Sequence, residues 1–331
     1  MHNTYIISKL KVRRRIGGTN LTSQYGNSLK FNVPKKKFRS NEKITGILFI
    51  MPVVLGIIIF VMYPMIFTLL LSFTDYNNLQ IPKFVGLNNY INIFTNDPFF
   101  KKSLIVTAYY ALGSVLVTMI TAFLIAILLN QDIKGRAVFR TIFYLPTIVP
   151  AVASSILWLW LFNPNFGLLN SLLQMIGLPK QQWLSGETTV IPSLIVMSLW
   201  ACGNTIIIFL AGLQDVPRQL IEAVDIDGGN WWHKFLYVTI PMVTPILFFN
   251  LIMNLINAFQ TFTQAYVMTG GGPNNDSLFY VYLVYRDGFQ ENSMGYASAL
   301  AWILFVIIAI ITAVLFLTSK GWVYYEGGQN S

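Results

Sequence analysis

The stretch LIEAVDIDGGNWWHKFLYVTIPM, from Leu220 to Met242, concentrates charged side chains between two hydrophobic runs that carry almost none. Its acidic and basic side chains are Glu222, Asp225, Asp227, His233 and Lys234. Carboxylates on a helix surface can form ion pairs with cations on a second protein. Metal binding is not favoured, because the other histidine, His2, is far away in the chain and Cys202 is the single cysteine. The chemistry that this stretch offers is therefore polar or ionic contact, either with a partner protein or with lipid headgroups.

The region around this stretch, residues 215–240, is called the charged segment. It is predicted to form a helix, a turn and a second helix. Pro217 suits the first turn of a helix, and apolar and acidic side chains recur three residues apart on separate faces. The pair Gly228-Gly229 favours the end of that helix, because glycine tolerates positive φ. A second short helix is predicted from Trp231 to Tyr237. The periodicity fits either an edge presented to a partner protein or an interfacial helix on lipid headgroups.

Polar side chains recur in the next hydrophobic run at intervals of four, three, four and three residues. This polar stripe consists of Asn250, Asn254, Asn257, Thr261 and Gln264. The spacing predicts one face of a single helix, and exposing such a face to lipid is costly. Amides and hydroxyls form hydrogen bonds readily. The stripe therefore predicts either hydrogen bonds between helices or a track for a cargo rich in hydroxyl groups.

The preceding hydrophobic run carries aromatic and small side chains that favour the same kind of cargo. Trp200 and Asn204 are four residues apart and share a helix face, and Gly203 beside them leaves room. Aromatic faces and neutral amides suit a neutral sugar better than a phosphate, an amino acid or a metal ion. These three residues and the polar stripe are the candidate substrate path.

The sequence lacks the residue patterns of an enzyme or an ATP-binding chain. It contains no Gly-Lys dipeptide, which excludes the phosphate-binding loop of P-loop ATPases. Its hydrophobic runs carry no charged side chain, whereas proton relays in membranes normally use one. We expect no catalysis, no metal and no cofactor in this chain, although a sodium site built from carbonyl and hydroxyl oxygens stays compatible with it.

The apolar composition predicts an all-α, polytopic membrane protein. Hydrophobic residues make up 55% of the chain and charged residues 11%, against about 25% charged residues in soluble domains. Runs of about 17–25 apolar residues can cross a bilayer as helices, which satisfy their own backbone polar groups. Six such runs are Ile44–Phe73, Ser103–Asn130, Thr141–Phe162, Val190–Gln214, Ile240–Met268 and Ala297–Thr318. Kinks near span ends are predicted at Pro146, Pro150, Pro241 and Pro245.

The distribution of basic residues predicts the orientation in the membrane. Of the 22 Lys and Arg residues, 17 lie on one side of the six spans, and eleven of these precede the first span. Both ends, a basic N-terminal arm over residues 1–43 and a tail over residues 319–331, are therefore predicted to be cytoplasmic. The arm carries most of the net charge of +9, so no nucleic-acid partner is needed to explain it. It either sets the topology or contacts anionic lipid headgroups.

The charged segment resembles the EAA loop found in the membrane subunits of ABC importers. The residues that carry this resemblance are Glu222, Ala223, Asp227, Gly228, Phe235, Ile240 and Pro241. Two positions depart from the motif. Val224 stands where a second alanine is usual, and Gly229 stands where a small alanine follows the glycine.

Other stretches resemble the carbohydrate-importing branch of these permeases, the relatives of the maltose system. Ser72–Tyr76 and Phe84–Tyr90 are similar to its first external loop. A second set of residues is similar to the last external segment of the branch, namely Gly271–Pro273, Tyr282, Tyr285, Gly288 and Phe289. The resemblance covers residues 44–318, which implies a transmembrane domain over that range with a cytoplasmic coupling loop at residues 215–240.

The resemblance implies a permease subunit that forms half of the path of an ATP-driven sugar importer. The implied docking site for a separate ATPase is Glu222, Ala223, Asp227, Gly228, Gly229, Phe235 and Pro241. The resemblance places the path for a mono- or oligosaccharide in the fourth and fifth spans, as the residue pattern does. The residues of this path are Trp200, Gly203, Asn204, Asn250, Asn254, Asn257, Thr261 and Gln264.

The resemblance also implies partners and a location. The partners are a second homologous permease in a heterodimer, two ATPase subunits that hold ATP and Mg, and an extracellular sugar-binding protein. The location is the cytoplasmic (inner) membrane of a bacterium. Two alternatives are an importer of glycerol phosphate esters and a stand-alone, ion-coupled sugar carrier.

Overall fold

The computed structural model describes residues 41–77 and 80–324, with side chains described from Ile44 onwards. Most of the arm predicted over residues 1–43, and the end of the tail predicted over residues 319–331, therefore lie outside the described residues. The chain divides into two compact units, one ending at Ile58 and the other beginning at Ile59.

The described part of the first unit is a single apolar helix. Helix α1 (Asn41–Ile57) contains Pro52, and almost all of its side chains from Ile44 onwards are exposed. A helix that is apolar on every side is suited to lipid or to the interior of a larger assembly.

The second unit consists mainly of helices joined by short turns. Its helices are α2 (Tyr63–Leu71), α3 (Asn88–Thr95), α4 (Pro98–Asn130), α5 (Arg136–Tyr144), α6 (Ala151–Leu161), α7 (Leu168–Met175), α8 (Val190–Ser198), α9 (Gly203–Gln214), α10 (Arg218–Ile226), α11 (Trp231–Lys234), α12 (Ile240–Phe259), α13 (Tyr280–Tyr285) and α14 (Met294–Ser319). Two short antiparallel strands, β1 (Thr74–Asp75) and β2 (Lys83–Phe84), pair with Thr74 opposite Phe84.

Four helical stretches are long and apolar enough to cross a membrane, and two bent pairs of helices bring the number to six if each pair is one span. The four stretches are Ile44–Leu71, Pro98–Asn130, Trp231–Phe259 and Met294–Ser319. The bent pairs are Arg136–Ile148 with Ala151–Leu161, and Val190–Ala201 with Gly203–Gln214. The predicted all-α membrane fold is confirmed, and each of the six predicted spans corresponds to one stretch or one pair.

A proline explains one bend, and close packing at a glycine accompanies the other. The kink predicted at Pro150 is a bend of 100° that divides the span Thr141–Phe162 into two helices, because proline lacks a backbone donor. The fourth span bends by 52° just before Gly203. A Cβ atom at Gly203 would lie 2.5 Å from the carbonyl oxygen of Phe143. Glycine at this position therefore allows α9 to pack directly on the end of α5.

The fifth span is shifted along the sequence relative to the prediction Ile240–Met268. Its helix begins earlier, at Trp231, and passes through a π-helical turn at Phe235–Thr239. It ends at Phe259, because Gln260 leaves helical geometry with φ −96° and ψ 13°. The prediction of one continuous helix to Met268 is therefore wrong. The prediction of a separate short helix ending at Tyr237 is also wrong, because that helix continues into the span.

Helix α4 lies at the centre of the bundle, where it packs against α9 and α12. Its buried face carries small side chains, and Ala122 and Ala126 have no exposed surface. Small residues let helices approach closely, which favours their association in lipid. Tyr280 is fully buried and donates its hydroxyl to the carbonyl of Leu300 at 2.9 Å. This packing fixes α4, α9 and α12 around the candidate site.

Candidate functional site

The first helix of the charged segment begins and ends where the sequence predicts. Pro217 precedes α10 in an extended conformation, and Gly228 follows it with a φ of +76°. The N–H of Gly228 donates to the carbonyl of Asp225 at 3.1 Å, and that of Gly229 to the carbonyl of Val224 at 2.8 Å. These two bonds form a Schellman motif, which satisfies carbonyl groups at the end of the helix.

The second helix of the charged segment is started by a capping box. The N–H of His233 donates to Oδ1 of Asn230 at 3.1 Å, and the N–H of Asn230 donates to Nδ1 of His233 at 3.2 Å. Such reciprocal bonds satisfy donors that a helix N-terminus leaves free. Since α11 continues through the π-helical turn into α12, the charged segment is joined to the fifth span without a flexible linker.

Ionic and apolar contacts hold the inner side of the charged segment in place. Lys234 and Asp225 form an ion pair across the two helices, with Nζ 2.5 Å from Oδ1. Ile221 and Val224 are half-buried and pack against a core cluster that includes Val238. The segment is therefore anchored on one side only.

The outer side of the charged segment is exposed and carries both charge and apolar surface. The exposed residues include Glu222, Ala223, Asp227 and Gly228. Beside them, the side chain of Ile226 is 86% exposed and that of Trp232 is 61% exposed. Phe235 and Pro241 are half-buried on the inner side. The candidate docking residues thus divide into an outward set and a set that supports it.

The two departures from the EAA pattern lie against each other. A Cβ atom at Gly229 would clash with the Cγ1 atom of Val224 and lie 3.0 Å from the carbonyl oxygen of Val224. With valine at position 224, a side chain at position 229 would therefore force a local shift. This contact makes the two departures a candidate for one compensated change.

A polar cleft of about 240 Å³ lies between α4 and the fourth and fifth spans. Its lining is Tyr110, Ser114, Val115, Thr118, Ser198, Ala201, Asn254, Asn257, Ala258, Thr261 and Gln264. Four members of the polar stripe are therefore brought together, even though Thr261 and Gln264 lie beyond the end of α12. The prediction that all five share one helix is wrong for these two.

The polar stripe divides into residues that hold helices together and residues that face the cleft. Asn254 donates from Nδ2 to Oγ1 of Thr205 in α9 at 3.2 Å and to the carbonyl of Asn250 at 2.8 Å. Asn250 is buried, and its Nδ2 has no hydrogen-bond partner among the described residues. Asn257 is exposed at the cleft. Bonding between helices is therefore shown at Asn254, whereas contact of Asn257 with a cargo stays a prediction.

The three candidate residues of the fourth span do not line the polar cleft. Trp200 is 42% exposed, and its ring meets that of Trp158 edge-on at 6.2 Å. Gly203 is buried where α9 packs on α5, and Asn204 is exposed elsewhere on the span. Ser198 and Ala201 of the same span line the cleft instead.

Helix α4 supplies cleft residues that sequence reasoning missed. Tyr110, Ser114 and Thr118 lie four residues apart, on one helix face. Thr118 and Ser198 have their hydroxyl oxygens 3.4 Å apart, so they connect α4 to the fourth span. The four-residue spacing could have indicated a polar helix face. It is a weak signal, because serine and threonine in spans commonly bond to the backbone of their own helix.

A buried acid lies at the end of the bundle opposite the charged segment. Asp287 is 5% exposed, and burial raises its pKa to about 6, although Arg286 beside it acts in the opposite direction. Burial favours the neutral carboxyl over the carboxylate. The contribution of Asp287 to the stability of the folded state therefore rises as the pH falls through about 6. Tyr296 donates its hydroxyl to Asp97 nearby, at 2.7 Å.

Comparison with known proteins shows that this chain is similar in sequence to transport proteins. The sequence profile of the family described as "Binding-protein-dependent transport system inner membrane component" matches residues 118–325. The probable ABC transporter permease protein YesP of Bacillus subtilis is 42% identical over 300 residues, which cover 89% of this chain and 97% of that protein. The arabinooligosaccharides transport system permease protein AraP of the same organism is 32% identical over 278 residues, covering 83% and 88%.

A solved structure shares the fold. The crystal structure of a bacterial alginate ABC transporter, in complex with an alginate pentasaccharide-bound periplasmic protein, contains a chain that matches with a TM-score of 0.74. The match covers 86% of this chain and 96% of that chain at 22% identity.

The compensated pair in the charged segment yields a first prediction. We expect Gly229→Ala to destabilise the segment by about 1–3 kcal/mol through overpacking against Val224. The double variant Val224→Ala/Gly229→Ala is expected to recover most of this loss. The measurement is the thermal unfolding midpoint of the purified protein, followed by tryptophan fluorescence.

Gly228→Ala is the matched control for this prediction. It places a side chain at positive φ with nothing within 4 Å of the new Cβ, so its cost arises from the backbone. Val224→Ala is not expected to rescue it. If Val224→Ala stabilises Gly228→Ala as much as Gly229→Ala, or stabilises neither variant, residues 224 and 229 do not compensate for each other.

Proposed function

The chain belongs to the family of binding-protein-dependent transport system inner membrane components, and from that premise we propose that it is a permease subunit of an ATP-driven importer of neutral oligosaccharides. It is a membrane protein that contributes half of the path and hydrolyses no ATP itself. Its termini are cytoplasmic, in the inner membrane of a bacterium, as the basic residues on that side support.

The neutral, hydrogen-bonding character of the polar cleft carries this proposal. Eight of its lining residues have hydroxyl or amide groups, and none of its lining residues is charged. Such groups match the hydroxyls of a sugar, whereas an importer of glycerol phosphate esters is expected to present cations to the phosphate. The cargo named for AraP, arabinooligosaccharides, agrees with this chemistry.

The charged segment is the docking site for a separate ATPase, present in two copies, that holds ATP and Mg. The segment exposes the carboxylates of Glu222 and Asp227 together with the apolar side chains of Ile226 and Trp232. Proteins recognise one another through apolar centres surrounded by polar groups. Because the segment continues into the fifth span, movement of the ATPase reaches Asn257 through one helix.

Two further partners complete the path. A second, homologous permease closes the side of the cleft on which Asn257 is exposed. An extracellular sugar-binding protein delivers cargo to the end of the bundle opposite the charged segment, near the turns Gly86–Tyr90 and Gly271–Asp276. Binding of ATP draws the two coupling segments together, and the path then opens outward.

Reconstitution in liposomes tests the proposal. We expect the chain, together with its copurified permease, ATPase and binding protein, to accumulate labelled arabino- or malto-oligosaccharides only in the presence of Mg and ATP. Removal of the ATPase subunit abolishes uptake, because this chain has no ATP-binding loop.

Two results of this experiment overturn the proposal. Uptake by this chain alone, driven by an ion gradient, identifies an ion-coupled carrier instead. Uptake of glycerol phosphate esters, with no uptake of any saccharide by the complete complex, identifies the other cargo.

Charge reversal tests the docking site. We expect Glu222→Lys to lower uptake more than tenfold and to reduce copurification of the ATPase, because a like-charge contact at an interface costs several kcal/mol. The variant should keep the unfolding midpoint of the native chain, since Glu222 is exposed. Asp132→Lys, at an exposed acid outside the charged segment, is the control. Normal ATPase copurification by Glu222→Lys excludes this docking surface.

Removal of an amide tests the path. We expect Asn257→Leu to lower saccharide uptake about tenfold through the loss of hydrogen bonds to cargo, while ATPase copurification is unchanged. Asn204→Leu removes an exposed amide outside the cleft and should change uptake less than twofold. A larger loss with Asn204→Leu than with Asn257→Leu places the path along the fourth span instead of the cleft.

A further inference from the structure

Five aromatic rings form a continuous cluster at the end of the fifth span. This aromatic platform consists of Phe262, Tyr266, Tyr282, Tyr285 and Phe289. Phe262 and Tyr266 stack with ring centroids 5.4 Å apart, and Tyr285 and Phe289 stack at the same distance. Tyr266 meets Tyr285 edge-on at 5.3 Å, which joins the two stacks. Such contacts hold the rings in fixed relative positions.

The outer part of the aromatic platform is accessible. Tyr266 is 45% exposed and Phe289 is 64% exposed, whereas Tyr282 is buried beneath them. Tyr282 also lies against the turn at Gly271, where an added Cβ would meet its ring at 3.0 Å. The buried ring therefore supports the exposed ones and limits their movement.

The aromatic platform and the polar cleft share one chain segment. Thr261 and Gln264 line the cleft, and Phe262 and Tyr266 alternate with them on the same short segment. This segment follows the end of α12, so it lies at the end of the span opposite the charged segment. The platform thus begins on the chain segment that supplies Thr261 and Gln264 to the cleft, at the end of the span where the proposed function has cargo enter.

The volume of the cleft limits what it can hold. Its volume of about 240 Å³ is below the range of about 300–1,000 Å³ that is usual for pockets enclosing a complete small ligand. An oligosaccharide seated there must extend beyond it. The neighbouring surface on the segment that lines the cleft is the aromatic platform.

We propose that the aromatic platform is an outer carbohydrate subsite, on which successive sugar rings of a neutral oligosaccharide stack before the chain enters the polar cleft. This inference rests on the proposed function. Sugar rings present C–H groups on their faces, and these groups are attracted to the electron-rich faces of aromatic rings. The tyrosines add a hydroxyl at the ring edge that can bond to a sugar hydroxyl.

The arrangement of the rings favours a sugar over lipid as their occupant. An interfacial aromatic belt is distributed around a bundle at headgroup level, whereas these rings are gathered in one cluster that begins beside the cleft residue Thr261 in the sequence. A disaccharide can engage the cleft or the platform, but a longer chain engages both. The platform should therefore act on long cargo more than on short cargo.

Length-dependent transport tests this subsite. The complete complex in liposomes, with saturating binding protein, is supplied with labelled two-unit and four-unit arabino- and malto-oligosaccharides. We expect Tyr266→Ala/Phe289→Ala to lower the maximal uptake rate of the four-unit saccharide about fivefold, and that of the two-unit saccharide less than twofold. Tyr266→Phe keeps the ring and loses only the hydroxyl, so it should lower the rate of the four-unit saccharide less than twofold. Phe166→Ala, at a ring that is 67% exposed outside the platform, should leave both rates unchanged.

Each outcome supports or overturns the proposal. Equal loss of uptake for both lengths, or no loss for either, overturns the outer subsite while leaving the proposed function intact. A lower yield of assembled complex for the double variant, without a length effect, makes the platform a contact with the second permease. Failure of the native complex to take up any saccharide refutes the proposed function itself.

Discussion

The unbroken helix from Trp231 to Phe259 is the constraint on which the rest of the structure depends. At its start, the capping box of Asn230 and His233 and the Schellman motif at Gly228 fix the charged segment at a set angle to the span. At its other end, Asn254 and Asn257 lie at the polar cleft. A single stiff element therefore joins an ionic surface outside the membrane to hydrogen-bonding groups inside it, and movement of one end must displace the other.

Hydrogen bonds within the bundle offset the cost of several polar groups at the cleft. Asn254 bonds to Thr205 and to the backbone of its own helix, and Thr118 lies within reach of Ser198. These bonds fix the walls of the cleft and leave Asn257 exposed at it, as the proposed sugar path requires. Neutral groups cost much less than charges at membrane depth, which is why an uncharged path can remain open to water without disrupting the bundle.

The sequence predicted the elements whose causes are local. The runs of apolar residues located the six spans, and Pro217 and Gly228 marked the ends of α10 because backbone geometry alone decides them. Features that depend on contacts between helices were not predictable. The packing of Gly203 on Phe143, and the end of the fifth helix at Phe259, are set by neighbouring elements. The cleft face of α4 was missed because its hydroxyls look like those of any span.

The irregular turns of the fourth and fifth spans lie at the polar cleft. The fourth span is interrupted around Leu199–Ala201, and the fifth span ends at Phe259. Ala201 and Thr261, which lie at these interruptions, line the polar cleft. Non-helical backbone at membrane depth is tolerated where it borders a cavity, because water or cargo can satisfy the freed groups. The breaks that hydropathy failed to predict therefore lie at the polar cleft, where the proposed path would use additional hydrogen-bonding groups, and the unbroken helix from Trp231 ends beside them.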